Sequence, residues 1–336
     1  MSTSNNICND GALKSSNDND GVCDMNNKLK NMSLNGNNIF HFGRERCANC
    51  GKESSDNMNT CNKCKSVKYC NAACKKKHRH KHKKKCERQV AELHDEKLFK
   101  QPPPLEDCPI CFLQLPTLST GRIYQSCCGK VMCSGCWYAN ANIDLDKQLC
   151  ALCRTPAPDS DEEIVERTKK RMEVGDADAI FSLGNYYADG ENGLPKDYPK
   201  ALELYKQAGE LGSIRAYFNI GTAYYIGKNG VEMDKQKGDR YFELAAMRGN
   251  AMARHNLGCT ELEAGNMSRA LKHWMIALGG GHSKCLNNIQ LLYSLGQVTK
   301  DEYTKALRAR QEYLGEIKSE QRDEAAAIDG DKYKYY

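Results

Sequence analysis

Residues 176–212 read DADAIFSLGNYYADGENGLPKDYPKALELYKQAGELG, and residues 213–249 read SIRAYFNIGTAYYIGKNGVEMDKQKGDRYFELAAMRG. The two stretches align without a gap, so the chain repeats itself with a period of 37 residues. A fixed period of about 20 to 50 residues is typical of repeat architectures, in which each unit buries its apolar face against the next. The sequence therefore predicts an all-α solenoid of antiparallel helix pairs.

The repeat pattern continues beyond residue 249. A third unit, shortened by five residues, covers residues 250–281, and a fourth begins at His282. Two slots are kept in the first three units, a glycine slot and an aromatic slot, occupied by Gly184, Gly221 and Gly258 and by Tyr205, Phe242 and Trp274. Thr299 and Glu302 have the spacing of a capping box, which predicts a last helix that closes the solenoid. These units resemble Sel1-like repeats, relatives of tetratricopeptide repeats, and the resemblance implies a surface that binds a protein, such as a substrate.

Composition limits the remaining classes of protein. The chain has 336 residues, with 49 Lys and Arg against 43 Asp and Glu, a formal surplus of +6 that does not by itself imply nucleic acid. The sequence has no apolar run long enough to span a membrane and no secretory signal at its polar N-terminus, so we expect a cytoplasmic or nuclear protein. Of its 19 cysteines, 15 lie between residues 47 and 153. In a reducing compartment such a cluster indicates metal binding or catalysis rather than disulfides.

The first cysteine block has the spacing C-x2-C-x10-C-x2-C-x5-C-x3-C-x7-H-x3-C. Eight cysteine and histidine ligands make two tetrahedral Zn²⁺ sites. The block resembles a MYND zinc finger at every ligand position, and the resemblance implies two interleaved sites, formed by Cys47, Cys50, Cys70 and Cys74 and by Cys61, Cys64, His82 and Cys86. It also implies a partner that supplies a short proline-containing peptide. No methyltransferase motif accompanies the block, so a lysine-methylating function has no support.

The stretch KKKHRHKHKKK, residues 75–85, places eight Lys and Arg residues among eleven inside this block. Three interpretations stay open: a solvated helix face, a nuclear-import signal, and a nuclear regulator that contacts nucleic acid. The negative charge of zinc–thiolate sites and the lack of interleaved aromatic residues favour the first interpretation over nucleic-acid contact.

The second cysteine block resembles a RING zinc finger, with three pairs of the form C-x2-C. The resemblance implies one complete site, formed by Cys108, Cys111, Cys133 and Cys136, and three ligands of a second site, Cys128, Cys150 and Cys153. The usual histidine position holds Lys130, whose ammonium has no lone pair for a metal. An open fourth position would suggest catalysis, but no general base is placed nearby, so we predict that Cys127 is the fourth ligand. Across both blocks this makes 16 ligands and four zinc ions.

RING fingers usually act as ubiquitin ligases that position an E2–ubiquitin conjugate without a nucleophile of their own. Ile110 matches the family's aliphatic E2 contact, and Arg154 matches its ubiquitin-locking arginine. Ala151 stands where a proline is expected, and Asn140 stands where an apolar residue is expected. A RING-type ligase and a non-enzymatic scaffold therefore both stay open, and no catalytic residue is predicted.

The predicted fold is multidomain, with two small zinc-stapled fingers followed by an all-α solenoid. The predicted order is a disordered Asn-rich arm, a MYND-like finger, a linker, a RING-like finger, helical repeats with a capping helix, and a tail, over residues 1–42, 43–90, 91–107, 108–158, 160–320 and 321–336.

Overall fold

The structure is a computed structural model that describes residues 45–54, 58–104, 106–143, 149–227 and 230–336. The disordered arm predicted over residues 1–42 lies outside the described residues. The described chain divides into two compact units, one that ends at Lys100 and one that begins at Gln101.

The first unit holds two short antiparallel hairpins and one long helix. Strands β1 (Glu45–Arg46) and β2 (Glu53–Ser54) form one hairpin, and β3 (Asn59–Thr60) and β4 (Lys68–Tyr69) form the other. Helix α1 (Ala72–Leu98) follows. The apolar core of this unit consists mainly of cysteines packed around the buried ring of Tyr69, so it is too small to fold without help from metal.

Helix α1 extends further than the sequence suggested. Its start is set by Asn71, whose side chain accepts a hydrogen bond of 2.8 Å from the backbone N–H of Cys74. It then continues through residues 91–98, which were predicted as the first part of a linker. This difference has a local cause, because the first helix-breaking residues after Cys86 are the prolines at 102–104.

The second unit begins with the second cysteine block. Strands β5 (Arg122–Gln125) and β6 (Lys130–Cys133) pair antiparallel, with Arg122 opposite Cys133 and Gln125 opposite Lys130. Helix α2 (Ser134–Ile143) follows β6 directly. The small core of the block consists of Leu115, Met132 and the cysteines Cys108, Cys133 and Cys136.

The rest of the second unit is helical, as predicted. Its helices are α3 (Asp161–Glu173), α4 (Ala177–Asp189), α5 (Tyr198–Glu210), α6 (Ile214–Ile226), α7 (Lys235–Met247), α8 (Ala251–Glu263), α9 (Met267–Gly279), α10 (Lys284–Ser294), α11 (Lys300–Ile317) and α12 (Glu320–Ile328). Within the described residues, no helix combines the length and the apolar character needed to cross a membrane.

The first two repeats fold to the same local geometry. Asp197 and Asp234 cap the second helix of each repeat with nearly identical backbone angles, φ −140° with ψ 89° and φ −141° with ψ 89°. Gly190 and Gly227 end the first helix of each repeat in the left-handed conformation, at φ 76° and φ 67°. The residues kept in register are therefore those that start and stop the helices.

The glycine and aromatic slots meet inside each repeat. A Cβ placed on Gly221 would lie 2.7 Å from Cδ1 of Phe242, and one on Gly184 would lie 2.7 Å from Cε1 of Tyr205. The third repeat keeps this contact between Gly258 and the indole of Trp274 despite its shorter loop. The glycines are therefore required because an aromatic ring contacts the first helix in each of these three pairs.

The C-terminus differs from the loose tail predicted over residues 321–336. Helix α12 packs against α2 of the second cysteine block, and the side chains of Arg322, Tyr333 and Tyr335 are buried. The hydroxyl of Thr120 donates to the carbonyl of Lys334. The aromatic rings of this tyrosine-rich end supply the apolar surface that holds it in place. The capping box of Thr299 and Glu302 at the start of α11 is confirmed.

Candidate metal centres

The first unit brings its eight predicted ligands together in two groups of four. In each group all ligand atoms lie within 4.8 Å of one another. The groups are Cys47, Cys50, Cys70 and Cys74, and Cys61, Cys64, His82 and Cys86, which is the interleaved arrangement. The hairpins supply the C-x2-C pairs, while the end of β4 and helix α1 supply the other four ligands. Neither site can therefore form unless the helix packs against the hairpins.

The spacing of the ligand atoms fits zinc. With Zn–S bonds of about 2.3 Å, the sulfurs of a tetrahedral site lie about 3.8 Å apart. The sulfur of Cys70 lies 3.7 Å from that of Cys50 and 3.6 Å from that of Cys74. The shorter Zn–N bond reduces the edge, and Cys64 Sγ lies 3.3 Å from His82 Nε2. The residues present can hold the ion without rearrangement.

The second cysteine block forms two further groups with the same spacing limit, Cys108, Cys111, Cys133 and Cys136, and Cys127, Cys128, Cys150 and Cys153. The sulfurs of Cys111 and Cys133 lie 3.9 Å apart, and those of Cys127 and Cys153 lie 3.4 Å apart. Lys130 is exposed on β6 and is not a member of the second group. The doubled cysteine therefore places Cys127 where a fourth ligand is needed.

A turn follows the second cysteine in four of the C-x2-C pairs. The residue after the second cysteine has the same backbone conformation in all four. The residue after the pair has positive φ: 72° at Gly51, 55° at Lys65, 57° at Phe112 and 63° at Arg154. In each case its N–H donates to the carbonyl of the first cysteine of the pair, at 2.9 or 3.0 Å. For a residue with a Cβ this conformation costs about 1 kcal/mol, so three such residues at the same position indicate a shared requirement. The requirement is a turn that directs both thiols at one point.

Comparison with protein families agrees with the geometry of the first unit and of the repeats. The model described as "MYND finger" matches residues 47–86, and the model described as "Sel1 repeat" matches residues 177–213 and 214–250. The chain carries a MYND finger and two Sel1 repeats. The family models do not show a RING finger, so the RING-like character of the second cysteine block rests on its residues alone. No curated protein matches the sequence significantly.

Solved structures match about half of the chain. A Sel1 repeat protein from Oxalobacter formigenes is 27% identical over 53% of this chain and 73% of its own, with a TM-score of 0.42. The immunity protein Pa5087 from Pseudomonas aeruginosa is 25% identical over 58% of this chain and 68% of its own, with a TM-score of 0.35. Because both TM-scores are low, the assignment of the repeats rests on the family model. MYND fingers and Sel1 repeats are generally protein-interaction modules.

The thiols of each group are not equivalent. The backbone N–H of Cys70 lowers the pKa of Cys47 to about 6, and the hydrogen bond from the thiol of Cys133 lowers the pKa of Cys108 to about 4. The hydroxyl of Thr155 lowers the pKa of Cys153 to about 6. One thiol in each of these groups therefore gives up its proton more readily than its neighbours, and the neighbouring thiols lose theirs when a metal binds.

Helix α1 of the MYND finger carries the basic run 75–85. His82 and Cys86 point inward and are buried, while most of the lysines of the run are exposed. His78 is not a member of either ligand group; its Nδ1 lies 3.2 Å from the hydroxyl of Tyr69, and its ring stacks on that of His82. His82, the histidine of the H-x3-C pair, is thus the one that lies among the thiols. The ring of His78 stacks on it and holds it in position.

The predicted E2 contacts of the second block lie on two turns. Ile110 is 38% exposed, and Arg154 is exposed directly after the last cysteine. Phe112, which sequence reasoning did not single out, is 77% exposed just after the first cysteine pair. The sequence does offer a signal for Phe112. It directly follows a C-x2-C pair, at a turn position where an aromatic side chain serves no packing purpose.

The two positions that depart from the expected E2 contacts, Asn140 and Ala151, have structural roles instead. Asn140 donates from Nδ2 to the carbonyl of Leu149 at 2.9 Å, which ties α2 to the last cysteine pair. Ala151 is half-buried and packs on the core of the block. Neither side chain offers an apolar contact surface of the expected kind.

Helix α12 covers another side of this block. A Cβ on Gly135 would lie 2.7 Å from the backbone nitrogen of Arg322, so the two helices touch at their backbones. Tyr333 packs its ring near those of Trp137 and Tyr138, with ring centres 5.9 Å apart in both cases. Ile110 and Arg154 stay exposed despite this packing.

Proposed function

We propose that this protein is a zinc-stapled interaction scaffold whose second finger is a RING-like module that binds an E2–ubiquitin conjugate. The MYND finger or the Sel1 repeats bind the protein to be modified. The observation that carries the proposal is the recurrence of one turn conformation in both cysteine blocks, with Ile110, Phe112 and Arg154 exposed at the turns of the second. Such turns are how a finger presents apolar and cationic side chains on a rigid surface.

The zinc content is part of the proposal. We assign four ions to the four groups of four ligands, with Cys127 as the ligand that replaces histidine in the second RING-like site. Sulfur separations of 3.4 to 3.9 Å support this assignment, since a tetrahedral zinc site requires about 3.8 Å. The proposed domain boundaries are those predicted from the sequence, except that the helix of the MYND finger ends at Leu98 and the tail is ordered.

The proposed catalytic effect is positional. A RING-like module contributes no nucleophile; it holds the conjugate so that the thioester is attacked in a productive orientation. Ile110 would contact the E2 enzyme through its aliphatic side chain, Phe112 would extend the same apolar contact, and Arg154 would hold ubiquitin. Helix α12 supports this role because it packs the RING-like block against the C-terminal end of the same compact unit as the repeats. A partner on the repeats would then lie at a fixed position relative to the conjugate.

An autoubiquitination assay with the full-length protein and a panel of E2 enzymes tests the proposal. We expect chain formation with at least one E2, and a loss of more than about tenfold in Ile110→Ala, since a buried contact of this kind contributes about 2 kcal/mol. Leu295→Ala is the matched control, because Leu295 is 58% exposed on the same compact unit and lies at the end of α10, far from the cysteine turns in sequence. The ligase proposal fails if no E2 supports chain formation by protein that retains its zinc.

A non-enzymatic scaffold is the second candidate, and the tethered amide of Asn140 and the half-buried Ala151 favour it. In that case the RING-like finger binds a protein but transfers no ubiquitin. The same assay separates the two candidates, and a pull-down with Phe112→Ala then identifies whether the exposed turn still binds a protein.

We propose a proline-containing peptide as the partner of the MYND finger and the cytoplasm or nucleus as the location. The clustering of cysteines at metal-ligand spacing in both blocks supports a reducing compartment. The exposed lysines of residues 75–85 leave contact with nucleic acid as the third candidate. A filter-binding titration decides it, because binding through about six phosphate contacts weakens by about a thousandfold between low and moderate salt.

A further inference from the structure

Three potential metal ligands meet inside the solenoid, away from both fingers in the sequence. The ligand atoms of His255, His282 and Cys285 lie within 4.8 Å of one another, the same limit that the four finger groups satisfy. His255 and Cys285 are buried, at 3% and 0% exposure, and His282 is half-buried. The cluster lies beyond the two matched Sel1 repeats, which end at residue 250.

The repeat itself shows how unusual these residues are. The slot of His255 holds Phe181 and Phe218 in the first two units, which is the ordinary aromatic residue of an apolar core. The histidine that replaces it brings a ring of similar size with a nitrogen lone pair, and its ring centre lies 4.6 Å from that of His282. An apolar core does not require this exchange, because burial penalises a polar ring unless it is hydrogen-bonded, and Nε2 of His255 lies 3.3 Å from Asn288 Nδ2.

Cys285 occupies another slot whose residue is otherwise constant. The first three units hold Ala179, Ala216 and Ala253 there, each fully buried. A cysteine adds one sulfur to a site where the chain otherwise requires a methyl group. That sulfur lies in the first turn of α10, next to the turn that carries His282.

His282 itself takes the place of a helix cap. The corresponding residues of the first three units, Asp176, Ser213 and Asn250, each accept a hydrogen bond from the backbone at the start of a helix. Helix α10 has no side-chain cap of this kind. The loss of a cap costs about 1 kcal/mol, so the histidine replaces a stabilising residue. Three departures from the repeat therefore converge on one point.

We propose that His255, His282 and Cys285 bind a zinc ion that staples the third repeat to the fourth. Two imidazoles and one thiolate form a borderline-soft donor set that suits zinc, and no carboxylate belongs to the cluster, which disfavours calcium and magnesium. Tetrahedral zinc requires nitrogen and sulfur atoms about 3.3 to 3.8 Å apart, and the three ligand atoms lie within 4.8 Å of one another. The sulfur of Cys259, which is not a member of the cluster, lies 3.8 Å from His255 Nε2.

The position of this zinc site has a structural purpose. In the fourth unit the repeat loses its glycine, because Gln290 stands where Gly184, Gly221 and Gly258 stand in the others. The glycine-to-ring contact that joins the two helices in each of the first three units is therefore missing from the fourth. A metal bridge between α8 and the start of α10 would add to the apolar packing that already joins these two helices.

Zinc counting by native mass spectrometry on the full-length protein tests the site. The variants restore the residue of the neighbouring repeats, His255→Phe and Cys285→Ala, so that the helical fold is retained. We expect each variant to carry one zinc ion fewer than the unchanged protein, with the same helical circular dichroism. Equal zinc counts in folded protein would overturn the proposal.

His273→Leu is the matched control. His273 is fully buried on α9, and its slot holds Leu204 in the first repeat, but it is not a member of the cluster. It should keep the full zinc count, and loss of an ion here would show that the count reports damage to the helices. The test compares the zinc count of each variant with that of the unchanged protein. Its outcome is therefore independent of how many ions the fingers hold and of any ligase activity.

A fluorescence measurement gives a second readout. The indole Nε1 of Trp274 donates to the carbonyl of His255 at 3.3 Å, so an ion bound by His255 lies close to this ring. The chain has two tryptophans, and Trp137→Phe leaves Trp274 alone. Paramagnetic Co²⁺ added to this protein should quench its emission, and His282→Asn should abolish the quenching. Quenching that is unchanged in His282→Asn, or absent in both proteins, contradicts the site.

Discussion

The guanidinium of Arg322 lies 3.7 Å from the sulfur of Cys111, across 211 residues of chain. Its Nη1 donates to the carbonyls of Gln114 and Ile317 at 2.9 and 2.5 Å, and its side chain is fully buried. The residue therefore fastens helix α12 to the first cysteine turn of the RING-like block. A cation at this point also offsets the negative charge that four thiolates would leave on a zinc ion.

Replacement of this arginine should loosen the C-terminus from the finger. Arg322→Met leaves buried carbonyls without a donor, so we expect the free energy of unfolding to fall by about 3 kcal/mol. Urea denaturation measures the loss, and limited proteolysis should cut first near residues 319–336. Arg308→Met is the control, since Arg308 is exposed on α11 and its loss should change the free energy of unfolding by less than about 0.5 kcal/mol.

Two substitutions test whether Cys127 is a zinc ligand and Lys130 only its neighbour. Cys127→Ser should lower the zinc content by one ion per chain, because the second RING-like group then has three thiols, whereas Lys130→Ala should leave the zinc content unchanged. Mass spectrometry of the intact protein under native conditions measures both variants. Full zinc content and unchanged stability in Cys127→Ser would show that the group closes in another way.

The contact between glycine and aromatic ring sets the stability of the repeats. A methyl group on Gly221 would lie 2.7 Å from Cδ1 of Phe242 and 3.2 Å from the carbonyl of Gly238. Gly221→Ala should therefore lower the free energy of unfolding by about 1 to 3 kcal/mol, as overpacking does. Gly315→Ala is the contrast, because open space surrounds this helical position and the substitution should stabilise the protein by about 0.5 to 1 kcal/mol. Thermal unfolding of both variants decides whether sterics or helix propensity dominates at Gly221.

One carboxyl group links the stability of the solenoid to pH. Burial raises the pKa of Asp239 to about 6, although the hydroxyl of Thr260 donates to it. The folded protein thus holds this proton where the unfolded chain, with a pKa near about 3.9, has lost it. Its contribution to stability is present below about pH 4 and is lost as the pH rises through about 6.

Asp239→Asn removes this titration, so the variant should be more stable than the unchanged protein at pH 7.5 and gain nothing at pH 4. The carboxyl is half-exposed and therefore partly screened by solvent, so we expect a gain of about 1 kcal/mol at pH 7.5. Chemical denaturation at the two pH values measures the difference. An equal effect at both would mean that the change acts through packing rather than charge.

Much of this molecule follows from short-range sequence patterns. The 37-residue period located the paired helices, and the residues kept in register, such as Asp197 and Gly190, are those that cap them. The 16 predicted ligands of the cysteine blocks, Cys127 included, fall into four groups that could hold a metal ion. The caps and the cysteine pairs are predictable because each depends on residues within one helix turn, one knuckle or one repeat, whereas the assignment of pairs to groups came from the family resemblance.

Other features depend on contacts between distant parts of the chain. The order of the C-terminus depends on Arg322 and Tyr333 meeting the RING-like block, and no periodicity or spacing marks residues separated by about two hundred positions. The cluster at His255 required the superposition of three repeats before its departures became visible. The sequence by itself determined which residues start, stop and ligate, because those choices are local. Only the tertiary structure decided which parts of the second cysteine block are exposed and which are covered, because that depends on how the C-terminal helix packs.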